Sequence, residues 1–103
     1  MGHKVILTPV AIEDLRKIVE FIAKDNAVRA RAFGDLLLDR ALAVGEFPQS
    51  GRVVPEIGDA AVRESIHQAF RIIYEIRSDP GVVYILRFWH AARGDPIIVL
   101  PQR

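Results

Sequence analysis

The chain has 103 residues and no cysteine, which excludes disulfides, thiol catalysis and cysteine metal sites. Half of the residues are hydrophobic, which argues against disorder, and the formal net charge of +1 argues against direct DNA binding through bulk charge. No apolar run is long enough to span a bilayer and no signal-peptide layout is present, so we expect a single cytoplasmic domain over residues 1–103.

The chain opens with a predicted strand, Lys4–Leu7, and continues with a helical pattern. Thr8 and Pro9 are typical of an N-cap followed by proline at the first helical position. The apolar residues of this helix recur at the spacing of one helical face: Ala11, Leu15, Ile18 and Ile22. A short polar break follows, so a second helix should begin near Ala27 and pack antiparallel to the first.

The second helix has an inner face of the same period, formed by Ala30, Phe33, Leu37, Ala41 and Val44. Leu36, Leu38 and Leu42 widen the apolar surface beyond this face. They predict either a broad stripe buried in a small core or a groove for the amphipathic helix of a partner. Gly34 would also allow another chain to approach closely.

The rest of the chain has β character, with predicted strands at residues 62–67, 70–77 and 82–89. A short extended segment at residues 52–55 precedes them, and turn residues at 78–81 join the last two strands. Residues 97–100 predict either an edge strand or a segment packed on the core. The predicted fold class is α+β: an N-terminal strand, an antiparallel helical hairpin, and an antiparallel β-meander packed against the helices.

Alternation along residues 70–77 separates the side chains of this strand into two faces. The apolar set should meet the helices: Phe70, Ile72, Tyr74 and Ile76. The other set should point outward and present two guanidinium groups: Arg71, Ile73, Glu75 and Arg77. Arg71 could simply pair with Glu75 on that face. Which face of the next strand Arg71 shares stays open, Arg87 included, because a slip of one residue exchanges the faces.

Several fragments, taken in their order and spacing, resemble the RelE/ParE toxins of type II toxin–antitoxin systems over nearly the whole chain. They are Leu7-Thr8-Pro9, Glu13-Asp14-Leu15, Phe47-Pro48-Gln49-Ser50-Gly51-Arg52, Pro55-Glu56, Val62-Arg63-Glu64, the strand at residues 70–76, and residues 86–93. The opening of the chain and the segment after the second helix are similar to the ParE-like branch of the family.

This resemblance implies an antitoxin partner and one of two cellular targets. Members of the family bind an antitoxin that wraps a segment over the toxin, so a hetero-oligomer is expected. ParE-like members are neutralised by a ParD-like antitoxin and inhibit DNA gyrase. RelE-like members cut messenger RNA on the ribosome through attack of a 2′-hydroxyl on the adjacent phosphate. The fold alone does not choose between these activities.

Under the nuclease alternative, the resemblance implies a catalytic set of Glu56, Arg71, His90 and Arg93. Arg71 matches the strand arginine that contacts phosphate, and Glu56 falls near the glutamate that acts as base. His90 or Trp89 falls near the C-terminal histidine of some members, and Arg93 lies near the place of a second arginine. A structural role in packing or capping is the alternative for His90.

Departures from the nuclease pattern favour a non-enzymatic, ParE-like toxin that arrests growth. Val62 and Glu64 stand where the lysine-using nucleases carry lysines, and no tyrosine follows Tyr84. The near-neutral charge also differs from that expected of a protein that enters ribosomal RNA. A ribosome-dependent endoribonuclease is the alternative, and a non-toxic remnant or interaction module is a third reading.

Four residues are the predicted contacts with the antitoxin: Leu36, Leu38, Leu42 and Trp89. Trp89 could equally belong to the core, since aromatic residues serve both as core and as interface anchors. No cofactor is expected. No metal site is expected either, because His3 and His67 have no third ligand in view.

Overall fold

A computed structural model describes residues 2–78 and 80–101 of the chain. The helices and strands follow the predicted order: β1 Lys4–Leu7, α1 Pro9–Ala23, α2 Ala27–Ala43, β2 Arg52–Val53, β3 Val62–His67, β4 Phe70–Ser78 and β5 Gly81–His90. Short 3₁₀ turns lie at Pro48–Ser50 and Ala91–Arg93. The predicted α+β fold class is confirmed, while Asp79 of the predicted turn lies outside the described residues.

The strands form one five-stranded sheet in the order β1-β5-β4-β3-β2. Strands β2 to β5 pair antiparallel as predicted, and β1 adds to β5 in parallel, so the sheet is mixed. Thr8 joins the end of β1 to the start of α1, because its hydroxyl accepts from the Ala11 N–H and donates to the Ile85 carbonyl. Neither α1 nor α2 has the length and apolar character needed to cross a membrane.

The helices cover one face of the sheet and form the first core with it, as the periodicity predicts. Its buried members include Ala11 of α1, Leu37 and Ala41 of α2, and Ile72 and Tyr74 of β4. Gly34 serves this helix packing and not an incoming chain. It is buried, and a Cβ at that position would lie 2.6 Å from Val19 Cγ2 of α1.

The opposite face of β4 was predicted to point outward, and this is wrong. Ile73 and Glu75 have no exposed surface, and Arg71 is 8% exposed. A second core covers this face, formed by Val54, Val62, Ile73, Leu86 and Trp89. The strand alternation was correct, but the residues after β2 and the C-terminal segment fold over the face and exclude water from it.

A β-bulge decides which part of β5 shares the Arg71 face. Ile73 lies opposite Arg87, whereas Tyr74 lies opposite Ile85, so Leu86 is the extra residue. Arg87 therefore lies on the same face as Arg71. Leu86 belongs to the second core, on the same face as its neighbour Arg87, because the bulge interrupts the strict alternation.

The C-terminal segment, residues 94–101, lies across the second core without forming a strand. Side chains of the sheet donate hydrogen bonds to its carbonyls: Trp89 to Gly94, Arg87 to Ile97, and Arg77 to Pro101. Ile98 packs against the second core. Of the two predicted alternatives for residues 97–100, packing on the core is the one observed.

Candidate functional site

Arg71, which matches the strand arginine of the family, lies at the centre of a charge network on the second-core face. Its Nη1 and Nη2 donate to the two carboxylate oxygens of Glu56 at 2.9 and 2.7 Å, and its Nε donates to Glu64. Glu64 is 1% exposed and also accepts from Arg52 Nε. The suggested Arg71–Glu75 pair is not formed: the partners of Arg71 are Glu56 and Glu64, and Glu75 pairs with Arg77.

The network assembles residues from the β3–β4 hairpin and from the loop after β2. Ile66 lies opposite Arg71 across the hairpin, and Glu64 is two residues before Ile66 on the same face. Glu64 is therefore a diagonal neighbour of Arg71, within reach of a long side chain. Glu56 comes from the loop that follows β2, and the two-point pair with Arg71 fixes that loop to the sheet.

The network changes the acid–base properties of Glu56. Its hydrogen bonds from Arg71, assisted by a backbone N–H, lower the pKa of the Glu56 carboxyl to about 2. The same pair raises the pKa of Arg71 above its ordinary value. A general base works best when its pKa is near the working pH, so Glu56 in this arrangement is a weak base.

This lowered pKa predicts how the stability of the protein depends on pH. The pKa of Glu56 is about 2 in the folded protein and about 4.5 in the unfolded chain. Its contribution to stability is therefore complete above about pH 4.5 and is lost as the pH falls toward 2. We expect Glu56→Gln to be less stable than the wild type at neutral pH, with the difference shrinking across this window. Urea denaturation at a series of pH values measures it. Parallel stability curves for the two proteins would contradict the assignment.

His90 and Arg93 lie apart from this network. His90 is directly opposite Phe70 on the helix-facing side of the sheet, and its ring packs edge-on against that of Phe70 at 5.0 Å. Its Nδ1 accepts from the Ala92 N–H and so caps the 3₁₀ turn that carries Arg93. The predicted nuclease set is thus divided. Glu56 and Arg71 form the network on the second-core face, whereas His90 lies on the helix-facing side and Arg93 follows it on the 3₁₀ turn, outside the network.

Trp89 lies beneath two guanidinium groups. The Cζ atoms of Arg93 and Arg87 are 3.9 and 4.8 Å from the centre of its ring, which is cation–π distance. Trp89 is 2% exposed and belongs to the second core. A partner could contact its ring only if the C-terminal segment or the arginines moved.

The Asp14–Arg87 pair was missed by the sequence reasoning. Asp14 accepts from Arg87 Nε and Nη2, both at 2.7 Å, and from the backbone N–H of Phe88 at 3.1 Å. Strand β1 ends opposite Ile85, so the edge of β5 beyond it has no strand neighbour and Asp14 satisfies its N–H. The one sequence signal was the shortness of β1 relative to β5.

The α2 leucines divide between the core and the surface. Leu37 is fully buried, whereas Leu36 and Leu42 are 37% and 47% exposed and Leu38 is half-buried. The exposed leucines are therefore accessible for the predicted contact with an antitoxin. Within residues 2–78 and 80–101, no three acidic or histidine side chains are grouped to hold a metal ion.

Solved structures of toxin–antitoxin systems share this arrangement of helices and sheet. The chromosomal ParDE toxin–antitoxin system from P. aeruginosa includes a chain of 15% identity that matches with a TM-score of 0.69, over 86% of this chain and 96% of that one. The toxin–antitoxin complex RelBE2 from Mycobacterium tuberculosis matches with 19% identity and a TM-score of 0.65, over 87% and 92% of the two chains. At these identities the likeness establishes the fold.

The family is established by a match at the level of sequence. A search of curated proteins gave no match. The family described as the ParE toxin of the type II toxin–antitoxin system parDE matches residues 5–94, which include both helices and, apart from Lys4, the five strands. The chain therefore belongs to the ParE toxin family of type II toxin–antitoxin systems.

Proposed function

We propose that this toxin acts by binding, as an inhibitor of DNA gyrase, and that a ParD-like antitoxin neutralises it. The observation that carries the proposal is the engagement of Arg71 by both Glu56 and Glu64. An arginine held by two carboxylates is not free to stabilise the charge that develops on a phosphate during cleavage. Membership of the ParE family supports gyrase as the target.

The states of the other predicted catalytic residues support the same conclusion. Glu56, the expected base, has its pKa lowered to about 2, and the hydrogen bonds from Arg71 occupy both of its oxygens. His90, another member of the implied nuclease set, lies on the opposite face of the sheet from the Glu56–Arg71 pair. Cleavage by this set would require the network to open and the sheet faces to be bridged by the substrate.

A supercoiling assay tests the proposal directly. Purified toxin added to gyrase and relaxed plasmid should stop the formation of supercoiled product, and addition of the antitoxin should restore it. Messenger RNA from cells that express the toxin alone should remain intact in primer extension. Normal gyrase activity at saturating toxin would reject the proposal. Cuts within codons would establish the nuclease alternative, and unaffected growth would establish a non-toxic module.

The exposed leucines of α2 offer the antitoxin an apolar surface, and this yields a prediction. We expect Leu42→Asp to weaken antitoxin binding about tenfold or more, as truncation of an interface hot spot does. The variant should still fold, because Leu42 lies outside both cores. Calorimetric titration of the toxin with antitoxin measures the affinity. Phe47→Asp, at another exposed apolar position, is the matched control, and equal affinities for the two variants would contradict the assignment.

A further inference from the structure

An apolar groove of about 360 Å³ lies between α1 and the end of the sheet where β4 begins and β5 finishes. Phe70 and Phe88 of the sheet and Phe21 of α1 contribute aromatic surface to it. Phe21 is 72% exposed, which is unusual for a phenylalanine on a helix that packs on a core. The groove is separate from the exposed leucines of α2, none of which lines it.

The rim of this groove has an excess of positive charge. Asp14 lines the groove, but it is buried and its carboxylate is neutralised by Arg87. Lys17 and Arg93 also line the rim, and neither makes an ion pair within the part of the chain that the structure describes. The carboxylate of Glu13, near enough to feel the charge of Lys17, is held by Arg16.

Arg93 is positioned to receive an anion. Its guanidinium stacks on Trp89, and His90 caps the turn that carries it. Stacking uses the flat face of a guanidinium and leaves its N–H edge for an acceptor, for which a carboxylate is the best geometric match. An apolar cavity with two cations at its mouth is complementary to a large apolar side chain beside a carboxylate.

We infer that this groove receives an aromatic or large aliphatic side chain, flanked by an acidic residue, from the antitoxin; the identity of the occupant rests on the proposed antitoxin partnership. The leucines of α2 and the groove would then be two separate contact points for one wrapping segment. Two linked contacts bind more tightly than either alone, because the second contact forms within the complex.

A titration with small probes tests the chemistry of the groove. Phenylbutyrate, phenylbutanol and phenylbutylamine share one aromatic body and differ in charge. In NMR titrations of the full chain, we expect phenylbutyrate to shift the signals of Phe21 and its groove neighbours and to bind most tightly, with the amine weakest. Lys17→Gln and Arg93→Gln should each weaken the binding of phenylbutyrate by about two- to fivefold, the range for an exposed ion pair. Arg31→Gln, which removes a cation outside the groove, should not.

Charge reversal keeps the test independent of folding defects. Lys17→Glu should reduce or invert the preference for the carboxylate over the amine, which loss of structure would not do. Equal binding of the three probes, no binding, or shifts that map to another surface would overturn the inference. None of these outcomes depends on gyrase, so a failure here and a failure of the proposed function are read separately.

Competition between phenylbutyrate and the antitoxin tests whether the antitoxin occupies the groove. Addition of a cognate ParD-like antitoxin should release phenylbutyrate from the groove. A complex that forms while the probe stays bound would overturn the assignment of the antitoxin to this groove. The chain itself exposes an acidic–aromatic pair, Glu46 and Phe47, and a second copy could use it. Groove signals that shift with protein concentration alone, and cease to do so in Phe47→Ser, would assign the groove to self-association instead.

Discussion

Replacing Arg71 by methionine is expected to lower the free energy of unfolding by about 3–5 kcal/mol, as removal of one partner from a buried ion pair does. The buried carboxylate of Glu64 would keep only Arg52, whose side chain is largely exposed. Small domains have only about 5–15 kcal/mol of stability, so the variant should be near the limit of folding. Urea denaturation followed by far-UV circular dichroism measures the loss.

Two further variants show whether the loss of stability comes from the carboxylate of Glu64, which Arg71→Met leaves without its buried partner. Arg71→Met combined with Glu64→Leu should recover most of the lost stability, because neither buried charge remains. Arg52→Gln should cost no more than about 1 kcal/mol, since Glu64 keeps Arg71 and the removed charge is exposed. A double variant as unstable as Arg71→Met alone would contradict a network held by charge pairing.

The same double variant separates structure from function at Arg71. If Arg71 has a structural role, the refolded double variant should inhibit supercoiling as the wild type does. A well-folded double variant without inhibitory activity would instead place the Arg71 guanidinium in contact with the target. Under the nuclease alternative, the double variant would lose cleavage while remaining folded. The stability measurement and the activity assay together therefore decide the role of this residue.

The parts of the fold that were predicted from the sequence depend on local periodicity. The spacing of Ala11, Leu37 and Ala41 identified the inner faces of both helices, and alternation assigned Ile72 and Tyr74 to the helix side of β4. Periodicity gives the face of an element on which a residue lies. It does not give what covers that face, so Arg71 and Ile73 were wrongly expected to point outward.

One contact of the charge network, between Glu64 and Arg71, is predictable from the sequence. Strands β3 and β4 are joined by the two residues Gln68 and Ala69, and a hairpin with so short a loop has a fixed register. That register alone makes Glu64 the diagonal neighbour of Arg71. The contact between Glu64 and the strand arginine is therefore predictable from the sequence through the register of this hairpin.

Other contacts had no local signal. Asp14 and Arg87 are 73 positions apart and meet because β1 joins β5 in parallel, a pairing that neither residue specifies. The Leu86 bulge is equally hidden, because the apolar pattern of β5 fits either face. Coverage of the second core by the C-terminal segment depends on the packing of Ile98 and on hydrogen bonds from Trp89, Arg87 and Arg77, and not on a strand pattern.

Trp89→Ala is expected to cost about 3–5 kcal/mol of folding free energy, the range for removing a buried tryptophan or phenylalanine side chain. The variant would leave a cavity in the second core and remove the surface on which Arg87 and Arg93 stack. Phe47→Ala removes an aromatic ring that is exposed and should change stability by about 0.5 kcal/mol or less. Urea denaturation followed by circular dichroism compares the two. Equal, small effects would mean that Trp89 is not a core residue.

Trp89→Phe addresses the remaining question of whether Trp89 also anchors the antitoxin. The phenylalanine keeps an aromatic surface for the arginines but loses the hydrogen bond from the indole N–H to Gly94. If Trp89 acts only within the core, the variant should lose moderate stability, bind the antitoxin with unchanged affinity, and free the C-terminal segment for proteolysis. An anchoring role requires that the segment move aside and the indole contact the partner, so antitoxin affinity would fall by about tenfold or more, as at a tryptophan hot spot. Calorimetric titration distinguishes these results, because core stability and interface affinity respond separately to the same substitution.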